Sequence, residues 1–156
     1  MKSTYWDTSC ILALYVPEAI SARAATLATE ENRALTSSAI LEYEMAFALY
    51  AKEARGEISK NAAGTILNKF QSDLQRGRFL LAPLGQDIKA SANRIAAAAL
   101  QSSPPAFLRT LDGIHLATAQ QLGSHIVITA DQRMADTATL LGMKTKYLQR
   151  DDIIGD

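Results

Sequence analysis

The chain has 156 residues, and its 16 Lys+Arg balance 16 Asp+Glu at a formal net charge of zero. With 48% hydrophobic residues this length suits one soluble domain, 1–156, with a sizeable core. No apolar run nears the ~20 residues of a membrane span, and the charge balance argues against a polyelectrolyte-like nucleic-acid binder while leaving room for local basic patches. The single cysteine, Cys10, excludes an internal disulfide framework and any multi-cysteine zinc or iron–sulfur site. Asp7 interrupts the apolar part of MKSTYWDTSCILALYV, which has no small-residue cleavage site, so a signal peptide is not expected and a cytoplasmic location is.

In chain order, Ser3–Trp6 reads as a strand, followed by helices over Ser9–Val16 and Ala19–Thr29. A second strand over Ala34–Ser37 leads into helices over Ala39–Arg55 and Ser59–Arg76. Three later junctions repeat one pattern: NAAGTILNKFQSDLQR, Gly77, RFLLAPL; DGIHLATAQQL, Gly123, SHIVITA; MADTATLL, Gly142, MKTKYL. A glycine just past a helix takes the left-handed conformation without a Cβ penalty, so each junction reads as a helix feeding a strand. The remaining helices fall over Asp87–Gln101, Asp112–Leu122 and Met134–Leu141. Ser102-Ser103-Pro104-Pro105 must break the chain between two of them, since proline disfavours helix at itself and at the residue before it. Five short strands alternating with helices predict an α/β sandwich with a mostly parallel, buried five-stranded central sheet and helices on both faces. Ligands of such sheets bind beyond the carboxyl ends of the strands.

Acids are placed to gather there. Asp7 follows the first strand directly, and Asp131 follows HIVIT by one residue. Asp112 opens the helix LDGIHLATAQQL that precedes that strand, and Glu44 lies early in AILEYEMAFALY. Clustered carboxylates repel unless some protonate or a cation neutralises them. Oxygen-only ligands suit Mg²⁺ or Mn²⁺ rather than zinc, and such ions can activate water against a phosphodiester. Each acid also has an ordinary structural reading. Asp7 and Asp112 can cap or favour helix N-termini, Asp131 can occupy a turn, and Glu44 can be a solvated helical acid. Apolar Ile40, Leu41, Phe47 and Ala48 surround Glu44 at helical spacing, which makes an unpartnered carboxylate there costly.

Taken together, the motifs resemble a PIN-domain ribonuclease, most closely the VapC-type toxins of VapBC toxin–antitoxin pairs. YWDTSCILALY resembles the family's strand–Asp–Ser/Thr–Ser opening and places its first acid at Asp7. SAILEYEM resembles Ser-Ala-Ile followed after three residues by Glu, which selects Glu44 over Glu42; hydrophobic spacing alone does not choose, because Glu42 has apolar Met45, Ala46 and Leu49 nearby. LRTLDGIHLATAQQLG is the most specific match and assigns Asp112. ITADQRMADTATLLGM resembles the closing Thr-x-Asp-x-x-Leu segment and assigns Asp131, with Met134 in place of the usual leucine. The polar, proline-broken QSSPPAF before the third motif departs from the pattern without removing a ligand position.

The resemblance implies a PIN-like three-layer sandwich, homodimerisation, cleavage of RNA with Mg²⁺ or Mn²⁺ held by the four acids, and inhibition by a small VapB-type antitoxin. Two other functions fit the same residues: a PIN nuclease in RNA processing without an antitoxin, and an inactive PIN-like binding module. No Gly-x-Gly-x-x-Gly, Gly-x-x-x-x-Gly-Lys-Ser/Thr or Gly-x-Ser-x-Gly motif supports a nucleotide-binding or hydrolase alternative.

Several neighbours bear on the cluster. Thr129 can hydrogen-bond a carboxylate or a metal-bound water, or can simply favour its strand. Thr8 and Ser9 can orient Asp7 or cap the next helix, with capping the better reading for Ser9. Arg109, three residues before Asp112, can contact a phosphate or pair with the acids. His115 reads as a packed histidine rather than a ligand, Cys10 as a small buried residue, and Asp136 as a solvated helical acid. Lys52, Arg55, Lys60, Lys69, Arg76 and Arg78 exceed the acids of their segment and can guide an RNA backbone or form an ordinary solvated face.

Overall fold

The computed structural model describes residues 3–149. It opens with β1 (Thr4–Trp6), α1 (Thr8–Leu12), α2 (Ser21–Glu30) and β2 (Leu35–Ser38). Next come α3 (Leu41–Ala54), α4 (Ala62–Gln75), β3 (Phe79–Ala82) and α5 (Gln86–Gln101). The last described elements are α6 (Thr110–Gln121), β4 (Ile126–Thr129), α7 (Gln132–Leu140) and β5 (Lys144–Tyr147). Gly77, Gly123 and Gly142 all take positive φ (76°, 62° and 76°), so the three helix–glycine–strand junctions form as the sequence predicts.

Successive strand residues face opposite sides of a sheet, and this alternation builds two cores. Trp6 and Ile128 face a cluster with Ile11 of α1, Ala24 of α2, Leu41, Met45 and Leu49 of α3, and Phe70 of α4. Their neighbours Tyr5 and Val127 face the other way, against Ile88 and Ile95 of α5, Leu116 of α6 and Met134 of α7. Helices α1–α4 therefore cover one face and α5–α7 the other, giving the three-layer α/β sandwich. Each fully buried aliphatic side chain contributes roughly 1.5–3 kcal/mol, which makes this two-sided burial the main support of the sheet.

The strands differ from expectation in one respect. All the pairings are parallel, but they form a three-stranded ladder in the order β1-β4-β5 and a separate two-stranded ladder, β2-β3. A continuous five-stranded sheet would need backbone pairing between β1 and β2. There the Ser37 hydroxyl donates to the Trp6 carbonyl at 2.7 Å, so a side chain takes the acceptor that a ladder N–H would use. Helix α1 also ends earlier than predicted, at Leu12, with turns leading towards Pro17. Helix α6 starts at Thr110, which puts Asp112 inside its first turn instead of at its opening.

Candidate active site

Parallel strands β1 and β4 run side by side, so the residues that follow them arrive at one edge. Asp7 leaves β1 as the N-cap of α1: Oδ1 accepts the Cys10 backbone N–H at 3.1 Å and the Ser9 hydroxyl at 2.7 Å. Asp131 leaves β4 as the N-cap of α7, with Oδ1 accepting the Met134 N–H at 3.0 Å. Thr129 joins the two acids. Its buried hydroxyl donates to Asp7 Oδ2 at 2.5 Å and accepts the Asp131 N–H at 3.0 Å.

Helices α3 and α6 bring the other two acids to the same edge. Asp112, in the first turn of α6, accepts Arg109 Nε on Oδ2 at 2.8 Å, and the same guanidinium reaches Asp131 Oδ2 through Nη2 at 2.7 Å. Glu44, in the first turn of α3, accepts the Thr8 hydroxyl on Oε1 at 2.7 Å and meets His115 Nε2 at 2.5 Å on the same oxygen. His115 Nδ1 in turn meets the Tyr5 hydroxyl at 2.6 Å, deep in the core. An ionised carboxylate only accepts, so Nε2 carries the hydrogen towards Glu44. Three residues from three elements thus form one line: β1 Tyr5, α6 His115, α3 Glu44.

The environments separate the carboxyls. Burial pushes the Asp7 carboxyl above its ordinary range, although the Thr129 and Ser9 hydroxyls and the nearby His115 pull against it. Burial also raises Glu44, but His115, Thr8 and the charge of Arg109 more than offset it and leave the carboxyl below its ordinary range. Arg109 is held firmly protonated by its bond to Asp112, with Asp131 and Glu44 adding to the effect. Burial drives the Cys10 thiol far up, so it presents no thiolate here.

The four predicted acids therefore meet at the carboxyl edge through shared partners: Thr129 links Asp7 to Asp131, and Arg109 links Asp131 to Asp112. Thr8, next to Asp7 in the chain, links to Glu44. Among the described residues, no three His, Cys, Asp or Glu side chains already converge as a ready metal cage. The donor set still fits Mg²⁺ or Mn²⁺, which take one or two carboxylates and complete their shell with water. The guanidinium spanning two carboxylates shows directly that this position accommodates a cation.

Several neighbours resolve differently from the sequence reading. Ser9 does not cap α1; Asp7 does, while the Ser9 hydroxyl orients Asp7 and accepts the Ala130 N–H at 3.2 Å. Thr8 serves Glu44 rather than Asp7. Arg109 pairs with the acids. His115 is packed, as expected, yet it also holds Glu44; its place one turn from Asp112 was the available signal, but nothing in the sequence pointed to Tyr5. Asp136 is exposed and bonded to Gln132, outside the cluster. Much of the basic run is matched locally: Lys52 with Glu18 and Glu57, Arg55 with Glu57, and Arg78 with Asp73.

Comparison with known proteins agrees with this fold. The profile of the PIN domain matches residues 4–140. The chain is 37% identical over 146 residues to Ribonuclease VapC46 of Mycobacterium tuberculosis, covering 92% of this chain and 95% of that protein. The crystal structure of FitAcB from Neisseria gonorrhoeae shares the fold, with a TM-score of 0.61 at 19% identity over 91% of this chain and 95% of that one. Four acids at the carboxyl edge of a parallel sheet, a family profile spanning most of the chain and a VapC relative over nearly its whole length agree: this chain belongs to the PIN-domain family.

Proposed function

We propose that this chain, acting as a single domain over 1–156, is a divalent-metal-dependent endoribonuclease and the toxin of a type II toxin–antitoxin pair. The observation that carries the reading is the gathering of Asp7, Glu44, Asp112 and Asp131 at one sheet edge, where Asp112 and Asp131 already share one cation. Kinship with Ribonuclease VapC46 supports RNA as the substrate and a small VapB-type antitoxin as the inhibitor.

Asp7, Asp112, Asp131 and Glu44 would hold Mg²⁺ or Mn²⁺, which supplies Lewis acidity and a water of lowered pKa for attack on a phosphodiester. The protein's own part is orientation. Thr129 and Ser9 fix the Asp7 carboxylate from both oxygens. Thr8 and His115 occupy one oxygen of Glu44 and direct the other oxygen away from them. The caps by Asp7 and Asp131 tie both acids to helix starts, which fixes the direction of each carboxylate.

Cleavage of RNA by purified protein, lost in chelator and restored by Mn²⁺ or Mg²⁺, tests the activity. Co-expression with the product of the adjacent gene tests inhibition, and light scattering tests the expected homodimer. A monomer whose activity no neighbouring gene product suppresses would favour an RNA-processing nuclease instead.

A further inference from the structure

Arg109 is the one cation bonded directly to the acid cluster among the described residues, and its setting is unusual for an ordinary ion pair. It stands at the N-cap position of α6 without a capping bond. Its side chain is 64% exposed, and its only recorded bonds are to Asp112 Oδ2 and Asp131 Oδ2, at 2.8 and 2.7 Å. These two carboxylates make its direct side-chain bonds, with the charge of Glu44 adding to the attraction, and the exposed end of such a pair contributes only ~0–1 kcal/mol.

The same atoms are the ones a metal needs. Asp131 Oδ1 is committed to the Met134 N–H as the cap of α7. Oδ2 is then the oxygen that Asp131 has left to offer, and Arg109 already occupies it. A divalent cation and a guanidinium cannot share two carboxylate oxygens without strong like-charge repulsion. When one binds, the other is driven off.

We propose that Arg109 is the resident cation of the site and its substrate-phosphate ligand in turn: it holds Asp112 and Asp131 until a divalent ion takes them, and the released guanidinium then binds an RNA phosphate beside the acids. The fork geometry that spans two carboxylates also suits a phosphate, which a guanidinium grips through two parallel N–H bonds. Exposure gives the side chain freedom to turn outward, and its attachment three residues before Asp112 keeps it at the lip of the site. This inference rests on the metal-nuclease reading. It adds that metal and Arg109 compete for the same oxygens, which predicts an opposite sign for two measurable affinities.

The test compares wild type with Arg109→Gln, Arg109→Lys and Arg133→Gln. The last removes a positive charge from the exposed start of α7, where Arg133 has no recorded bond to the acids. Calorimetric titration with Mn²⁺ in the absence of RNA should show Arg109→Gln binding the ion about tenfold more tightly than wild type. Arg109→Lys, which keeps the charge but cannot span both carboxylates, should fall between them, and Arg133→Gln should match wild type. In cleavage assays at saturating Mn²⁺, Arg109→Gln should raise KM for RNA with a smaller effect on kcat. Mn²⁺ affinity that is unchanged or weaker in Arg109→Gln, while wild type binds normally, overturns the proposal. An unaltered KM overturns the phosphate role. If neither protein binds Mn²⁺, the metal-nuclease reading itself fails, and this inference fails with it.

Discussion

The hydroxyl of Tyr5 meets Nδ1 of His115 at 2.6 Å inside the protein, and the opposite nitrogen of that ring meets the candidate acid Glu44. The contact places a buried polar line behind a half-exposed carboxylate, with the ring orientation set from the core side. Residues that orient a metal-binding group typically matter ten- to hundredfold for affinity or activity, roughly the scale expected here. Tyr5→Phe should keep the packing of the ring, leave Nδ1 without its partner, and cost about 1–3 kcal/mol in urea unfolding. The same variant should lower RNA cleavage, and full activity at reduced stability would confine Tyr5 to a packing role.

Glu44 and Glu42 offer the sharpest comparison of side-chain direction. Two residues turn an α-helix through roughly 200°, so both cannot face one site. The structure exposes Glu42 and ties Glu44 to Thr8 and His115. Glu44→Gln should lose most cleavage and weaken Mn²⁺ binding, whereas Glu42→Gln should leave both unchanged and alter stability by no more than about 0.5 kcal/mol. Circular dichroism would first establish that both variants fold. Loss of cleavage in Glu42→Gln alone would contradict the assignment.

The two displaced carboxyls affect stability with opposite signs. Asp7 is raised chiefly by burial, so across the window from its ordinary pKa up to its raised folded value the folded chain holds a proton that the unfolded chain has released. Stability therefore falls as pH rises through that window. Glu44 is lowered on balance, so its contribution is complete above its ordinary pKa and is lost as pH falls towards the folded value. Asp7→Asn should remove the first penalty and make the metal-free protein more stable than wild type at neutral pH. Cleavage should be lost in the same variant. Thermal melts at several pH values would check the sign, and a variant less stable than wild type at neutral pH would refute it.

Thr129 carries two bonds on one hydroxyl, to Asp7 and from the Asp131 backbone. Thr129→Val keeps the shape and removes both. The two groups left without a partner predict a loss of about 1–3 kcal/mol each, before relaxation. Cleavage should fall as well, because both acids lose the group that spaces them. Unfolding and cleavage measured on one preparation would show whether the two losses accompany each other.

Much of this arrangement was legible in the sequence, because it depends on local patterning. Asp7 and Asp131 lie just beyond apolar strand runs, and parallel pairing carries both to one edge. The glycine junctions at Gly77, Gly123 and Gly142 marked three of the five strands. Glu44 was different: helix periodicity left Glu42 equally eligible, and the resemblance at Ser38-Ala39-Ile40 made the choice. Contacts between distant residues were not legible at all. Tyr5 and His115 lie 110 positions apart, and only the packing of α6 against β1 joins them. The break between the ladders was hidden for a similar reason, since it turns on the direction of one serine hydroxyl, Ser37.

The central claim is that these clustered carboxylates make a metal-dependent ribonuclease, and the most direct test is RNA cleavage by purified, chelator-treated protein with Mn²⁺ added back. Asp112→Asn, purified in parallel, controls for contaminating ribonuclease. Asp112 is buried and pairs with the exposed Arg109, and the near-isosteric swap to Asn removes its charge with little change of shape. The account predicts no cleavage without metal, recovery with Mn²⁺ in wild type, and none in Asp112→Asn. Cleavage that persists after exhaustive metal removal, with Asp112→Asn inactive, would contradict it.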